Sequence, residues 1–162
     1  MDYPYKKWMY GGAILLAIVS GVSIFGEPNA WLPVPLPILV LAFFPFGMYP
    51  LLTPILYLLI VKYLSPHKYF AKFVLALTIF FSLLNIWYFQ IYWAEGVKHQ
   101  GVTHTRIVAI ENFVGFGAAI AVAIYGVISG KRSIALAANL LLFLLLSWCA
   151  FPFLGKLGFG GS

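Results

Sequence analysis

Glu95, His99, His104 and Glu111 crowd carboxylates and imidazoles into one short stretch of an otherwise apolar chain. Two imidazoles and two carboxylates are a donor set for a divalent ion such as zinc, copper or iron. Within a helix, Glu95 and His99 share a face at i, i+4, and His104 and Glu111 share one two turns apart. The spacing matches no compact ligand motif of the His-Glu-x-x-His kind, so a site requires two helices to meet. A Gly-Val-x-His unit occurs twice, ending at His99 and at His104. Glu111 and His104 are also the candidate catalytic pair, because an imidazole with a pKa of ~6.5 exchanges protons near neutrality. Asn85, Gln90, Trp87, Asn112 and Arg106 are candidate ligand-binding groups on the flanking helices. A carboxylate two turns into a membrane helix is expected to face the bundle interior and find a partner there.

Other chemistries are excluded by what is missing. No Ser-His-Asp set, phosphate loop or dinucleotide fingerprint is present, and Cys149 is the only cysteine, so no intrachain disulfide forms. Paired axial haem ligands are excluded as well, because His67 belongs to the opposite end of the helices from His99 and His104.

The elements that position these residues follow from hydropathy. The chain is 63% hydrophobic and 9% charged, where soluble domains carry about 25% charged residues. Its mean hydropathy is +0.98. Too little polar surface exists to cover a globule in water, so the expected solvent is a bilayer. The net charge of +6 comes from lysines and arginines scattered at the ends of apolar runs. That pattern fits topology and anionic lipid rather than nucleic acid, which needs a dense basic patch.

The expected fold is an all-α integral membrane protein: a single domain, residues 1–162, with a bundle of about five transmembrane helices. The spans fall at about 8–25, 37–63, 66–94, 105–128 and 134–154. The first is read as retained rather than cleaved, since no small-residue cleavage site follows it before Glu27. Ala13, Ala17 and Gly21 are its expected packing stripe. The second lies in an apolar run, Leu32 to Val61, with prolines at 33, 35, 37, 45, 50 and 54; Pro33, Pro35 and Pro37 suit an extended entry, and the interior prolines kink or break the span. Thr53-Pro54 and Ser65-Pro66 read as N-cap and first-turn pairs. The fourth is rich in small residues, with Gly115, Ala119 and Ala123 four apart. It is therefore expected at the centre of the bundle. Ser133 is the expected cap of the fifth and Gly155 its C-terminal cap.

Lys6, Lys7, Lys62, Lys68, Lys72, Lys131 and Arg132 gather on one side of such a bundle, against Lys98, Arg106 and Lys156 on the other. The positive-inside rule then puts the N-terminus in the cytoplasm and the C-terminus outside, with a prokaryotic plasma membrane as the expected location.

In size and span number the chain resembles the tryptophan-rich sensory, or translocator, protein family. Leu84-Asn85-Ile86-Trp87 is similar to that family's Leu-Asn-x-x-Trp pattern with one residue missing, and Trp31-Leu32-Pro33 to its Trp-x-Pro-Pro loop. The Trp-Tyr and Lys-Pro parts of that loop are absent. The resemblance implies a bundle that takes a hydrophobic ligand.

Three functions are open. The first is an integral subunit of a larger membrane complex, partnered by other subunits or by itself, with a polar site where spans 3 and 4 join. The second is a metal-dependent membrane enzyme or metal handler using His99, His104, Glu95 and Glu111. The third is a binder or transporter of a quinone, carotenoid or tetrapyrrole.

Overall fold

A computed structural model describes residues 5–25 and 49–148, apart from the side chains of 23–25, 49–51, 88–92, 95, 96, 99, 100, 104, 108 and 148. Every regular element among the described residues is helical. They are α1 (Lys6–Phe25), α2 (Tyr49–Leu59) running into a π-turn (Ile60–Leu64), α3 (Phe70–Gln100), α4 (Val102–Ser129) and α5 (Arg132–Trp148). Two stretches, Phe70–Trp87 and Thr105–Ser129, are long and apolar enough to cross a membrane; only 22% and 29% of their apolar windows are buried. The core helix of a soluble protein would be mostly covered.

α5 is the hub. Among the described residues it packs against α1, α2, α3 and α4, whereas α4 packs mainly on α3 and α5. The expectation that the small-residue fourth helix is central is therefore corrected: the central helix is the fifth. From Ile134 to Ser147 no residue of α5 is exposed. The small stripe of α4 is used, but on one side only. Ala119 and Ala123 are buried. A Cβ on Gly126 would stand 3.3 Å from the backbone nitrogen of Ala135, and one on Gly115 would stand 2.6 Å from a Leu145 methyl. Absent side chains let the two helix backbones approach closely.

α1 packs on a face that keeps Ala13 of the expected stripe but not Ala17. Ala17 is exposed, and a Cβ on Gly21 would meet nothing. Met9, Gly12, Ala13, Leu16 and Ser20 face inward instead. Gly12 is required by Tyr57, whose ring would lie 2.5 Å from a Cβ there. That ring is pinned: its hydroxyl donates to the Trp8 carbonyl at 3.0 Å, and Phe143 meets it edge-on with centroids 5.9 Å apart.

Both proline-linked caps turn out otherwise. Helix α2 starts at Tyr49, so Thr53 and Pro54 lie within it rather than opening it. In an apolar setting the Thr53 hydroxyl finds better partners on other helices than its own N-terminal amides. Ser65 closes the π-turn, its amide donating to the Ile60 carbonyl at 3.2 Å and its hydroxyl donating back to Val61. Pro66 then disfavours continuation, and the next helix begins at Phe70. Ser133 lies inside α5, which opens at Arg132. Gly155, Cys149 and the prolines at 33, 35, 37 and 45 lie outside the described residues.

Two glycines make the turns. Gly101 (φ +82°) is the single residue between α3 and α4, and Gly130 (φ +64°) ends α4. Both hold left-handed backbone angles that residues with a Cβ rarely adopt.

Candidate functional site

The α3–α4 hairpin carries every residue singled out for chemistry. α3 does not stop at Ala94 but continues to Gln100, so Glu95 and His99 are helical residues at i, i+4 and share a face of its last turns. His104 lies in the first turn of α4. The Gly101 carbonyl accepts from the Thr105 amide at 3.2 Å and from the Thr105 hydroxyl at 2.9 Å, fixing the start of α4 against the hinge. The one-residue link holds the ends of the two helices together. The side chains of Glu95, His99 and His104 lie outside the described residues. Among the described residues no three His, Cys, Asp or Glu side chains gather as a metal site.

Glu111 and Asn112 divide between the two sides of α4. Successive helical residues are ~100° apart, and on this narrow contact face one of the two turns into the bundle. It is Asn112, 1% exposed; Glu111 is exposed. The expectation that the carboxylate faces inward is thus corrected. Arg106 is exposed as well, Asn85 is half-buried, Trp87 is exposed, and the Gln90 side chain lies outside the described residues. The structure therefore does not bring the Asn85, Trp87, Asn112 and Arg106 side chains to one enclosed point.

Gly126 sits against Ala135 and Gly115 against Leu145, a register that puts Trp148, the last described residue of α5, about level with Asn112.

The rest of the outward surface of α4 is apolar. Ile107, Ile110, Phe113, Val114, Tyr125 and Ile128 are exposed, with Gly117, Ala118 and Ala121 exposed among them. Glu111, Ala118 and Tyr125 recur every seven residues along one stripe, and Gly117 and Ala121 sit four apart beside it. The middle of this face, at Gly117, Ala118 and Ala121, lacks long side chains.

The interior, by contrast, holds polar groups that the chemistry-first reading of the sequence passed over. Ser20, Thr53 and Ser147, from α1, α2 and α5, form a chain of hydroxyls. Ser20 and Thr53 are 3.2 Å apart, and Thr53 and Ser147 are 2.7 Å apart. Ser147 donates to its own helix at the Phe143 carbonyl, 2.9 Å away, so the Thr53 hydroxyl is the donor to Ser147. Thr78 and Ser82 turn their hydroxyls onto α3 itself. Asn139 is fully buried, and neither amide atom has a hydrogen-bond partner among the described residues. The signal for these groups was visible as isolated Ser, Thr and Asn inside apolar runs. Spacing alone does not say which helix faces which.

Comparison with known proteins finds no matching family model, no similar curated protein and no similar solved structure. The resemblance to the translocator family gains no support from it.

Proposed function

We propose that this chain is an integral membrane protein of five helices that serves as a subunit of a larger membrane assembly, docking through the outward face of α4. The observation that carries the reading is Glu111: a carboxylate standing exposed on a helix face that is otherwise apolar and small-residued. A carboxylate within a span costs ~2.5–3.5 kcal/mol at the bilayer centre and less near the interface. A neighbouring helix that offers a cation or hydrogen-bond donor opposite Glu111 removes that cost. Gly117, Ala118 and Ala121 let its backbone come close, which is how helices associate where lipid supplies no hydrophobic drive.

The bilayer itself is supported by an inverted polarity. Ser20, Thr53, Thr78, Ser82, Asn112, Asn139 and Ser147 are buried, while Ile14, Ile18, Leu83, Val114 and Ile128 are 58–77% exposed. Water would favour the reverse. The distribution of basic residues supports an N-terminus in the cytoplasm and the α3–α4 hairpin outside.

Native mass measurement in mild detergent tests the reading. The chain is expected to co-purify with a stoichiometric membrane partner. Ala121→Leu should release the partner, and Glu111→Gln should weaken it. A monomer with no partner, indifferent to both changes, contradicts it.

A second reading, a divalent-metal site, is favoured by the tight turn at Gly101, which joins the helix end bearing Glu95 and His99 to the turn bearing His104. Metal analysis of the purified chain decides it. Bound zinc, copper or iron that is lost on His99→Ala with His104→Ala supports this reading, and metal-free protein opposes it.

A further inference from the structure

The opposite end of the bundle carries a cavity of about 120 Å³ between the start of α3, the end of α4 and the start of α5. Three of the groups that line it are cations, Lys68, Lys72 and Arg132, and Phe70, Val127 and Gly130 complete much of the wall. Arg132 is held in place: its Nη2 donates to the His67 carbonyl at 3.0 Å. The Lys68 ammonium lies 4.9 Å from the centre of the Tyr69 ring, and Tyr69 is exposed at the rim. Lys131 adds a further charge next to Arg132.

No carboxylate of the described residues balances this charge. The first turns of α3 and α5 contain no acidic residue. Glu95 and Glu111 belong to the hairpin end of α3 and α4, and the chain has no acid between Glu27 and Glu95 or after Glu111. Asp2 and Glu27 lie outside the described residues. Three cations facing one small cavity repel each other, at a cost that an anion seated among them reverses. The cavity also meets exposed apolar surface, since Val127 lines it and Ile128 is 77% exposed. A charged recess at the foot of an apolar wall is the shape of a phospholipid: headgroup in the recess, acyl chains along α4.

We propose that the cavity bounded by Lys68, Lys72 and Arg132 binds a phosphate group, carried as the headgroup of an anionic phospholipid or as free phosphate. Lys68 and Lys72 act as mobile point charges, and the Arg132 guanidinium, fixed by His67, supplies directional donors. The cationic recess lies at the opposite end of α4 from Glu111 and is independent of the metal reading; only the acyl chains, beside Ile128, would share the outward face of α4.

The test uses the full chain in detergent mixed with phosphatidylglycerol or with phosphatidylcholine, and counts retained lipid by native mass spectrometry. One phosphatidylglycerol per chain is expected to be retained in preference to phosphatidylcholine. Combining Lys68→Gln, Lys72→Gln and Arg132→Gln should weaken that binding by about a hundredfold. A charge-matched control, Lys6→Gln with Lys7→Gln and Lys62→Gln, should retain it within about twofold. Circular dichroism reports the fold of each variant. If the triple variant is misfolded, Lys68→Gln with Lys72→Gln is read instead, with an expected loss of about thirtyfold. Competition by inorganic phosphate assigns the site to phosphate alone, and its failure to compete assigns it to the whole lipid; both outcomes support a phosphate site. Equal losses in the two triple variants, or retention of neither phosphatidylglycerol nor phosphate, overturn the proposal.

Discussion

α4 and α5 are both apolar helices rich in small residues, and they serve opposite purposes. α5 is enclosed on every side and carries Asn139 and Ser147 inward among Ala135, Ala138, Leu142 and Phe143. α4 lends one side to the bundle through Gly115, Ala119, Ala123 and Gly126 and leaves the other uncovered, with Glu111 on it. The difference teaches that small residues in a membrane-type helix mark where a backbone can be approached, not whether the approaching helix belongs to the same chain.

The largest expected effect comes from setting two glycines of α4 against each other. Gly126→Leu drives a side chain into the backbone of Ala135 and should destabilise the bundle by about 3 kcal/mol. At Gly117 an added Cβ meets nothing within 4 Å and the residue is exposed, so Gly117→Leu should leave the isolated chain within about 0.5 kcal/mol of the original. Thermal unfolding in detergent measures both. Equal destabilisation by the two would erase the distinction between the faces.

Gly12→Ala comes next. Its methyl collides with a Tyr57 ring that Phe143 and the Trp8 carbonyl hold, so a loss of about 2 kcal/mol is expected. Adding Tyr57→Phe should restore little of it, because the ring carbons Cε1 and Cζ, 2.5 and 2.6 Å from the new methyl, crowd it as closely as the hydroxyl does.

Smaller effects come from the polar interior. Thr53→Val removes the donor to Ser147 and the contact with Ser20, for a loss of about 1 kcal/mol, in the range of hydrogen bonds between membrane helices. Asn139→Leu should move the other way, raising stability by about 1 kcal/mol, because it replaces an amide that is buried without a hydrogen bond. A fall in stability would mean that Asn139 has a partner in the folded protein and is structural.

Part of the architecture is legible in hydropathy: the all-helical fold of the described residues, the two long apolar helices and the break at Ser65-Pro66. What escaped the sequence has specific physical causes. Thr53-Pro54 looks like a helix start because threonine caps helices in water, yet among apolar helices its hydroxyl serves the neighbouring Ser147. Ala13, Ala17 and Gly21 look like a packing stripe, but the bulk of Tyr57 selects Gly12 and turns α1 by one residue. Glu111 and Asn112 are adjacent polar residues, and α4 turns only the amide into the bundle; the helix rotation that decides this is set by packing against α3 and α5, not by the local sequence. Lys68, Lys72 and Arg132 read as topology signals, since Arg132 lies far along the chain from the two lysines and only the fold brings them to one cavity.

The central claim is that the uncovered apolar faces meet lipid. Spin labels at Ile18 on α1, Ile55 on α2 and Leu83 on α3, in reconstituted protein with Cys149 replaced by alanine, test it most directly. All three should collide readily with oxygen and scarcely with a water-soluble nickel chelate, while a label at Lys131 shows the reverse. Ready collision with the chelate at Ile18, Ile55 and Leu83 would mean that these faces stand in water, and the membrane reading would fall with them.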